Sequence, residues 1–304
     1  TRRPFSQAIG AARQLLVSGE YSETALIAEL QDMTPQQVQA MADQFWADVQ
    51  ADVLLNGNYS ELAIAGVEQA LSPLLTNSQP RPPAALEVVR LQPGDKFVHP
   101  VAVEHDDSVV FWYRQGPENS WASRAMTGLS GQITKSGFFQ QLRTEQQLGY
   151  VVSALYWPQY DVPALGFVIQ SPSASAPQVA VAIDAFLEGT LSGEQAITAE
   201  QFERHKLALI NEIQQPHKNL WEESEYFWGE IAKRNWDFNG REQLVAAVEL
   251  IEFAAWQDWF QTHMVDSPAA VLFTTAGRWG ETPEGEVIDS PQALKLQRDS
   301  YLAD

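Results

Sequence analysis

The sequence predicts an α+β fold: a mixed sheet with helices packed on one face. Runs of β-branched and aromatic residues gather in the middle of the chain, and long helical patterns fill most of its second half. One strand pattern, AVLFTTAG, then returns near the end. Clustered strands, clustered helices and a returning strand suit a sheet whose helices lie on one side.

Taken in order, AIGAARQLLVSG reads as a helix ending at Gly19. Thr34 is placed to cap the next helix, with Pro35 at its first position and Gln37 completing a capping box. That helix is expected to run through MADQFWADV. ADVLLNGN comes next as a short buried strand closed by an Asn-Gly turn signal. ELAIAGVEQALSPLL is a helix broken at Pro73. The stretch 76–85, TNSQPRPPAA, carries Pro80, Pro82 and Pro83 and reads as an extended linker. A long loop within one domain is the alternative. Two strands, FVHPVAV and SVVFWYRQ, precede a helix from about Trp121 to Ile133. YVVSALYW and ALGFVIQS are two more strands, and helices resume at PQVAVAIDAFLEGTL. Thr198 and Gln201 form a second capping box, and the helix after it sets Phe202, Leu209 and Ile213 on one stripe. NLWEESEYFWGEIAKRN and EQLVAAVELIEFAAWQDWFQTHM read as long helices.

With 304 residues, 45% of them hydrophobic, the chain has material for two ordinary domains and a sizeable core. Its formal net charge of -20 argues against nucleic acid and against an anionic membrane surface as partners. There is no cysteine, so thiol nucleophiles, thiolate metal sites and disulfides are out. No apolar run approaches the roughly 18 residues of a membrane span, and the N-terminus lacks a signal-peptide core. It also lacks an initiating methionine and so need not be the natural start.

Histidine spacing gives no metal site. On one strand His99 and His105 would share a face but stand about 20 Å apart. His205 and Glu212 on a helix would be about 10 Å apart along its axis. The motifs H-E-x-x-H, H-x-x-E-H and G-x-S-x-G are missing, as is a phosphate-binding glycine loop.

The informative stretch is FFQQLRTEQQLGYVV, 138–152. On a helix, Phe139 and Arg143 are neighbours at i and i+4, while Phe138 and Leu142 form a parallel stripe. One stripe can enter the core while the other shows an aromatic ring and a guanidinium together. Gly149 permits a sharp exit, and Tyr150 opens a strand that can fold back toward the helix end. A guanidinium suits carbonyl or carboxylate oxygens, and a tyrosine hydroxyl can donate to a developing oxyanion. The plain alternatives are a surface ion pair of Arg143 with Glu145 or another acid, and a half-buried strand tyrosine. Phe139 has its own: a place in the core.

The pattern F-x-x-L-R-T-x-x-Q-L-G-Y-x-V, from Phe139 to Val152, resembles the insulinase (pitrilysin) family of zinc metallopeptidases. LLNGN, the proline-rich linker, FVIQS, YFWGEI and WDFN recur in family order, so the resemblance spans nearly the whole chain. It is to the C-terminal half of the long members.

The resemblance carries several expectations. The fold would be two homologous metallopeptidase-like α/β sandwich domains, the first one incomplete. Residues 1–75 would be the end of the third insulinase-type domain, 76–85 the linker and 86–304 the fourth domain. Zinc would belong to the full-length enzyme, held by an N-terminal half of the same polypeptide through H-x-x-E-H, with none in this chain. The two halves would close around a peptide substrate. Arg143 and Tyr150 would stabilise the transition state at the scissile carbonyl, and Phe139 would line the pocket for the side chain after the cut. The chain alone would be inactive. Homo-oligomerisation is left open, and bacterial relatives favour the periplasm over the cytoplasm. The rival is a stand-alone, non-catalytic peptide-binding or assembly module of the same fold. An in-frame H-x-x-E-H upstream of Thr1 would separate the two.

Overall fold

The structure, a computed structural model, describes residues 3–45, 47, 49–76, 78–79 and 86–302. The chain opens with helices α1 (Pro4–Leu16), α2 (Glu23–Gln31), α3 (Pro35–Phe45) and α4 (Glu61–Leu75). Strands β1 (Glu87–Val89), β2 (Lys96–Pro100) and β3 (Ser108–Gln115) come after them. Helix α5 (Trp121–Phe138) runs without a break into a π-helical turn, Phe139–Glu145. Next come β4 (Val151–Tyr156), β5 (Ala164–Ser171), α6 (Ala176–Leu191), α7 (Ala199–Ile213), α8 (Leu220–Ala232), α9 (Gly240–Glu249) and α10 (Phe253–Phe260). After a second π-turn, Gln261–Asp266, the chain ends in β6 (Ala269–Thr275), β7 (Glu286–Val287), α11 (Pro291–Gln297) and β8 (Ser300–Leu302).

Packing divides the chain into two units. The larger takes Thr1–Glu20, Leu86–Gln215 and Arg241–Ala303; the smaller takes Tyr21–Ala85 and Pro216–Gly240.

The larger unit is built on a six-stranded mixed sheet in the order β4-β5-β3-β6-β2-β7. β3 runs antiparallel to both β5 and β6, and β2 runs parallel to β6 and β7. β3 and β5 are buried along their whole length. Their side chains alternate between two cores, which is why both read as unbroken apolar runs. Val110, Trp112, Phe167 and Ile169 enter the core beneath α5, α6, α7 and α10. Val109, Phe111, Tyr113 and Val168 enter the other, against Ala8, Ala12 and Leu15 of α1. The helical layer expected on one face is therefore present. Helix α1 packs on the opposite face, its alanine-rich stripe close against the sheet. The stripe set by Phe202, Leu209 and Ile213 joins the helical-side core. Its helix carries the expected box: Thr198 N–H donates to Gln201 Oε1 at 2.9 Å, and Gln201 N–H donates to Thr198 Oγ1 at 3.2 Å.

In the smaller unit the Thr34–Gln37 box forms as expected. The helix it starts ends at Phe45; Trp46 and Asp48 lie outside the described residues. ADVLLNGN is not a strand. Among the described residues it has no neighbouring strand to complete a ladder, and side-chain bonds hold it instead: Asn56 to Glu223 at 3.2 Å and Arg234 to Asp52 at 2.9 Å. Helix α4 is not broken at Pro73 but continues to Leu75, since a proline so near the end removes little of the hydrogen-bond ladder. The linker prolines, Pro80, Pro82 and Pro83, lie outside the described residues.

EQLVAAVELIEFAAWQDWFQTHM is likewise not one helix. The chain leaves the helix after Glu249 and restarts at Phe253, with Glu252 in extended geometry. The break lets Ile251, Trp256 and Phe260 all reach the core, which one straight helix through the same residues would not do.

Candidate functional site

Helix α5 is anchored by Phe138, fully buried against Phe167 and Phe186. Leu142, one turn on, is also fully buried. Between these anchors the backbone widens into the π-turn, and Gln146 N–H reaches back to Gln141 O at 2.9 Å. Single π-turns of this kind cost hydrogen-bond geometry and concentrate at functional sites. This one keeps Phe138 and Leu142 inward while Phe139 stands 50% exposed. The core alternative for Phe139 therefore fails: its neighbour Phe138 is the core residue.

The exit differs from expectation. The left-handed residue is Gln147, at φ 52°, not Gly149. Gly149 is required for space, since a Cβ there would overlap the Gln170 carbonyl oxygen. The Ser171 hydroxyl donates to Leu148 O and ties the exit to the end of β5. The chain thus passes hard against β5 and delivers Tyr150, 52% exposed, beside the π-turn.

The three residues singled out from sequence share one groove of about 580 Å³, lined by Phe139, Arg143, Thr144, Gln147, Tyr150 and Pro172, with Gly149 at its floor. Arg143 is half-buried and makes no ion pair or hydrogen bond with another described residue. The expected alternative, a pair with Glu145, is not formed; Gln140 Nε2 reaches Glu145 instead, at 3.4 Å. A guanidinium without a partner among the described residues keeps its donors available to a ligand.

Tyr150 is already engaged. Its hydroxyl donates to Asp107 Oδ2 at 2.6 Å and accepts from Gln170 Nε2, which also donates to Asp107 Oδ2 at 2.9 Å. Burial of the hydroxyl, then the bond to the Asp107 carboxylate, push the phenol up to about 12; Arg3 pulls the other way. The hydroxyl is protonated at neutral pH and keeps a proton to donate. Neither Asp107 nor Gln170 was legible in the sequence. They stand at the start of β3 and the end of β5, 43 and 20 residues from Tyr150.

Of the histidines, His105 borders this cluster, its Nδ1 3.7 Å from Asp107 Oδ2. His99 Nδ1 is 2.6 Å from Ile288 O, and His105 Nδ1 accepts from Asp107 N–H at 3.0 Å in a loop rather than on a strand. Among the described residues no three His, Asp or Glu side chains stand together as metal ligands would.

Comparison with known proteins matches residues 129–228 to the family described as PQQ synthase PqqF-like, C-terminal lobe domain 4, a span that contains the whole groove. The chain is 27% identical to insulin-degrading enzyme of Homo sapiens over 245 residues, covering 78% of this chain and 24% of that protein. It is 23% identical to Protease 3 of Salmonella typhi over 276 residues, covering 90% of this chain and 29% of that one. Over most of its length the chain is similar to the C-terminal part of insulinase (pitrilysin) family members. The crystal structure of pitrilysin superposes on this chain with a TM-score of 0.86 at 22% identity, covering 99% of this chain and 33% of pitrilysin, and shows the same fold. The chain spans about a quarter to a third of the length of these relatives.

Proposed function

We propose that this chain is the non-zinc, substrate-contacting part of a longer zinc metalloendopeptidase of the insulinase family. Residues 1–75 would belong to the third insulinase-type domain and 86–304 to the fourth, with zinc held by an N-terminal half of the same polypeptide. The observation that carries the proposal is the groove that joins Phe139, an unpaired Arg143 and a protonated Tyr150. Arg143 would hold a backbone carbonyl of an extended peptide through its forked donors. The Tyr150 hydroxyl would donate to the scissile carbonyl as it becomes an oxyanion, a contact stronger in the transition state than in the ground state. Phe139 would form an apolar wall for the side chain after the cut.

In the full polypeptide, Arg143→Ala and Tyr150→Phe are each expected to lower kcat/KM by an amount equal to roughly 2–4 kcal/mol of transition-state stabilisation, with zinc content unchanged. The loss from Tyr150→Phe should fall mainly on kcat. Steady-state cleavage of a fluorogenic peptide checks this, and wild-type kinetics in both variants would favour the non-catalytic module.

A further inference from the structure

A phenol carries one proton, and here it is committed. The Tyr150 hydroxyl points at Asp107 Oδ2, 2.6 Å away, while its oxygen takes the Gln170 amide proton. The orientation of Gln170 is itself fixed. Its Oε1 accepts from the Phe5 amide at 3.4 Å, and its Nε2 is shared between Tyr150 and Asp107. Strand register builds the cluster: Gln170 is the cross-strand partner of both Val109 and Val151, so Asp107 and Tyr150 are carried to it from either side. A hydroxyl in this arrangement cannot donate to a peptide carbonyl at the same time.

We propose that Asp107 is the resting acceptor of the Tyr150 hydroxyl proton, so that Tyr150 becomes an oxyanion donor only when a bound peptide draws the hydroxyl away. Asp107 and Gln170 are positioning residues that act through Tyr150. No proton changes owner; the hydroxyl exchanges one acceptor for another. Binding must break a charge-assisted hydrogen bond, which tunes the enzyme toward peptides whose carbonyl is well placed in the groove. This rests on the role proposed above for Tyr150.

The test is a double-mutant cycle on peptide cleavage by the full polypeptide, with Asp107→Ala, Tyr150→Phe and both together. Asp107→Ala is expected to raise kcat/KM by about tenfold, the scale of one charge-assisted bond no longer broken on binding. In the Tyr150→Phe background it should change nothing. A fall in kcat/KM on Asp107→Ala, or an equal effect in both backgrounds, overturns the proposal. If Tyr150→Phe by itself is silent, the role of Tyr150 fails instead, and the resting-acceptor role with it.

A second measurement does not depend on activity. Ultraviolet titration of this chain, taken as the difference between wild type and Tyr150→Phe, isolates the Tyr150 ionisation, placed at about 12. Asp107→Ala should move that midpoint down, and an unmoved midpoint overturns the proposal. Where the alanine variant fails to fold, Asp107→Asn removes the charge with the shape kept, and the same downward shift is expected.

Discussion

Phe138 and Phe139 are adjacent and chemically identical, yet the fold gives them opposite work. Phe138 is fully buried between two other phenylalanines, whereas Phe139 is half exposed on the groove. Phe138→Ala should therefore cost about 3–5 kcal/mol of stability, the range for emptying a core phenylalanine site. Phe139→Ala should cost about 1 kcal/mol or less, since surface changes are usually small. Urea unfolding of the two variants measures the difference directly. In the full polypeptide, Phe139→Ala should also shift cleavage sites toward bulkier residues after the cut. Equal stability losses at the two positions would return Phe139 to the core.

Among the elements, caps and breaks set which residues face the site. Helix α7 starts where Thr198 and Gln201 exchange hydrogen bonds, and its Phe202 enters the core one turn later, against Phe253 and Trp256. Removing the cap leaves helix N–H groups without a partner. Thr198→Ala should lower stability by about 0.5–2 kcal/mol, and Thr198→Ser should restore most of it. Chemical denaturation reads both, and an alanine variant as stable as wild type would show that the cap is replaced by solvent. The π-turn after α5 works on the same scale. Through one irregular turn it keeps Phe138 and Leu142 inward and leaves Arg143 in the groove.

Over the whole molecule, several tyrosines of the larger unit resist ionisation. Desolvation of the hydroxyl pushes Tyr156 up to about 12 although the residue stands 38% exposed, and desolvation together with the Asp107 bond does the same for Tyr150. Tyr113, fully buried, is raised as well. A tyrosine whose value is raised by folding stabilises the fold fully below its unfolded value, near 10, and loses that contribution as pH climbs through the folded value. The urea midpoint should thus be steady up to about pH 10 and fall between about pH 10 and 12. Tyr156→Phe should soften the fall, because phenylalanine has no proton to lose. A midpoint that stays flat across this window would mean the tyrosines ionise without penalty. The net charge of -20 acts in the same direction through self-repulsion, so the comparison belongs at fixed ionic strength.

The α+β class, both capping boxes, the central strands and the stretch that joins Phe139, Arg143 and Tyr150 were all legible in the sequence. They rest on local periodicity, on side chains three or four residues apart and on one contiguous motif. Other features depend on which distant parts of the chain meet. ADVLLNGN has the composition of a strand but no strand to pair with among the described residues, and pairing is not a local property. The left-handed turn fell on Gln147 because Gly149 was needed where β5 leaves no room for a side chain. Asp107 and Gln170 join Tyr150 through the register of β3, β5 and β4. A hydrogen bond across 43 residues leaves no trace in spacing, since it depends on which strands lie side by side.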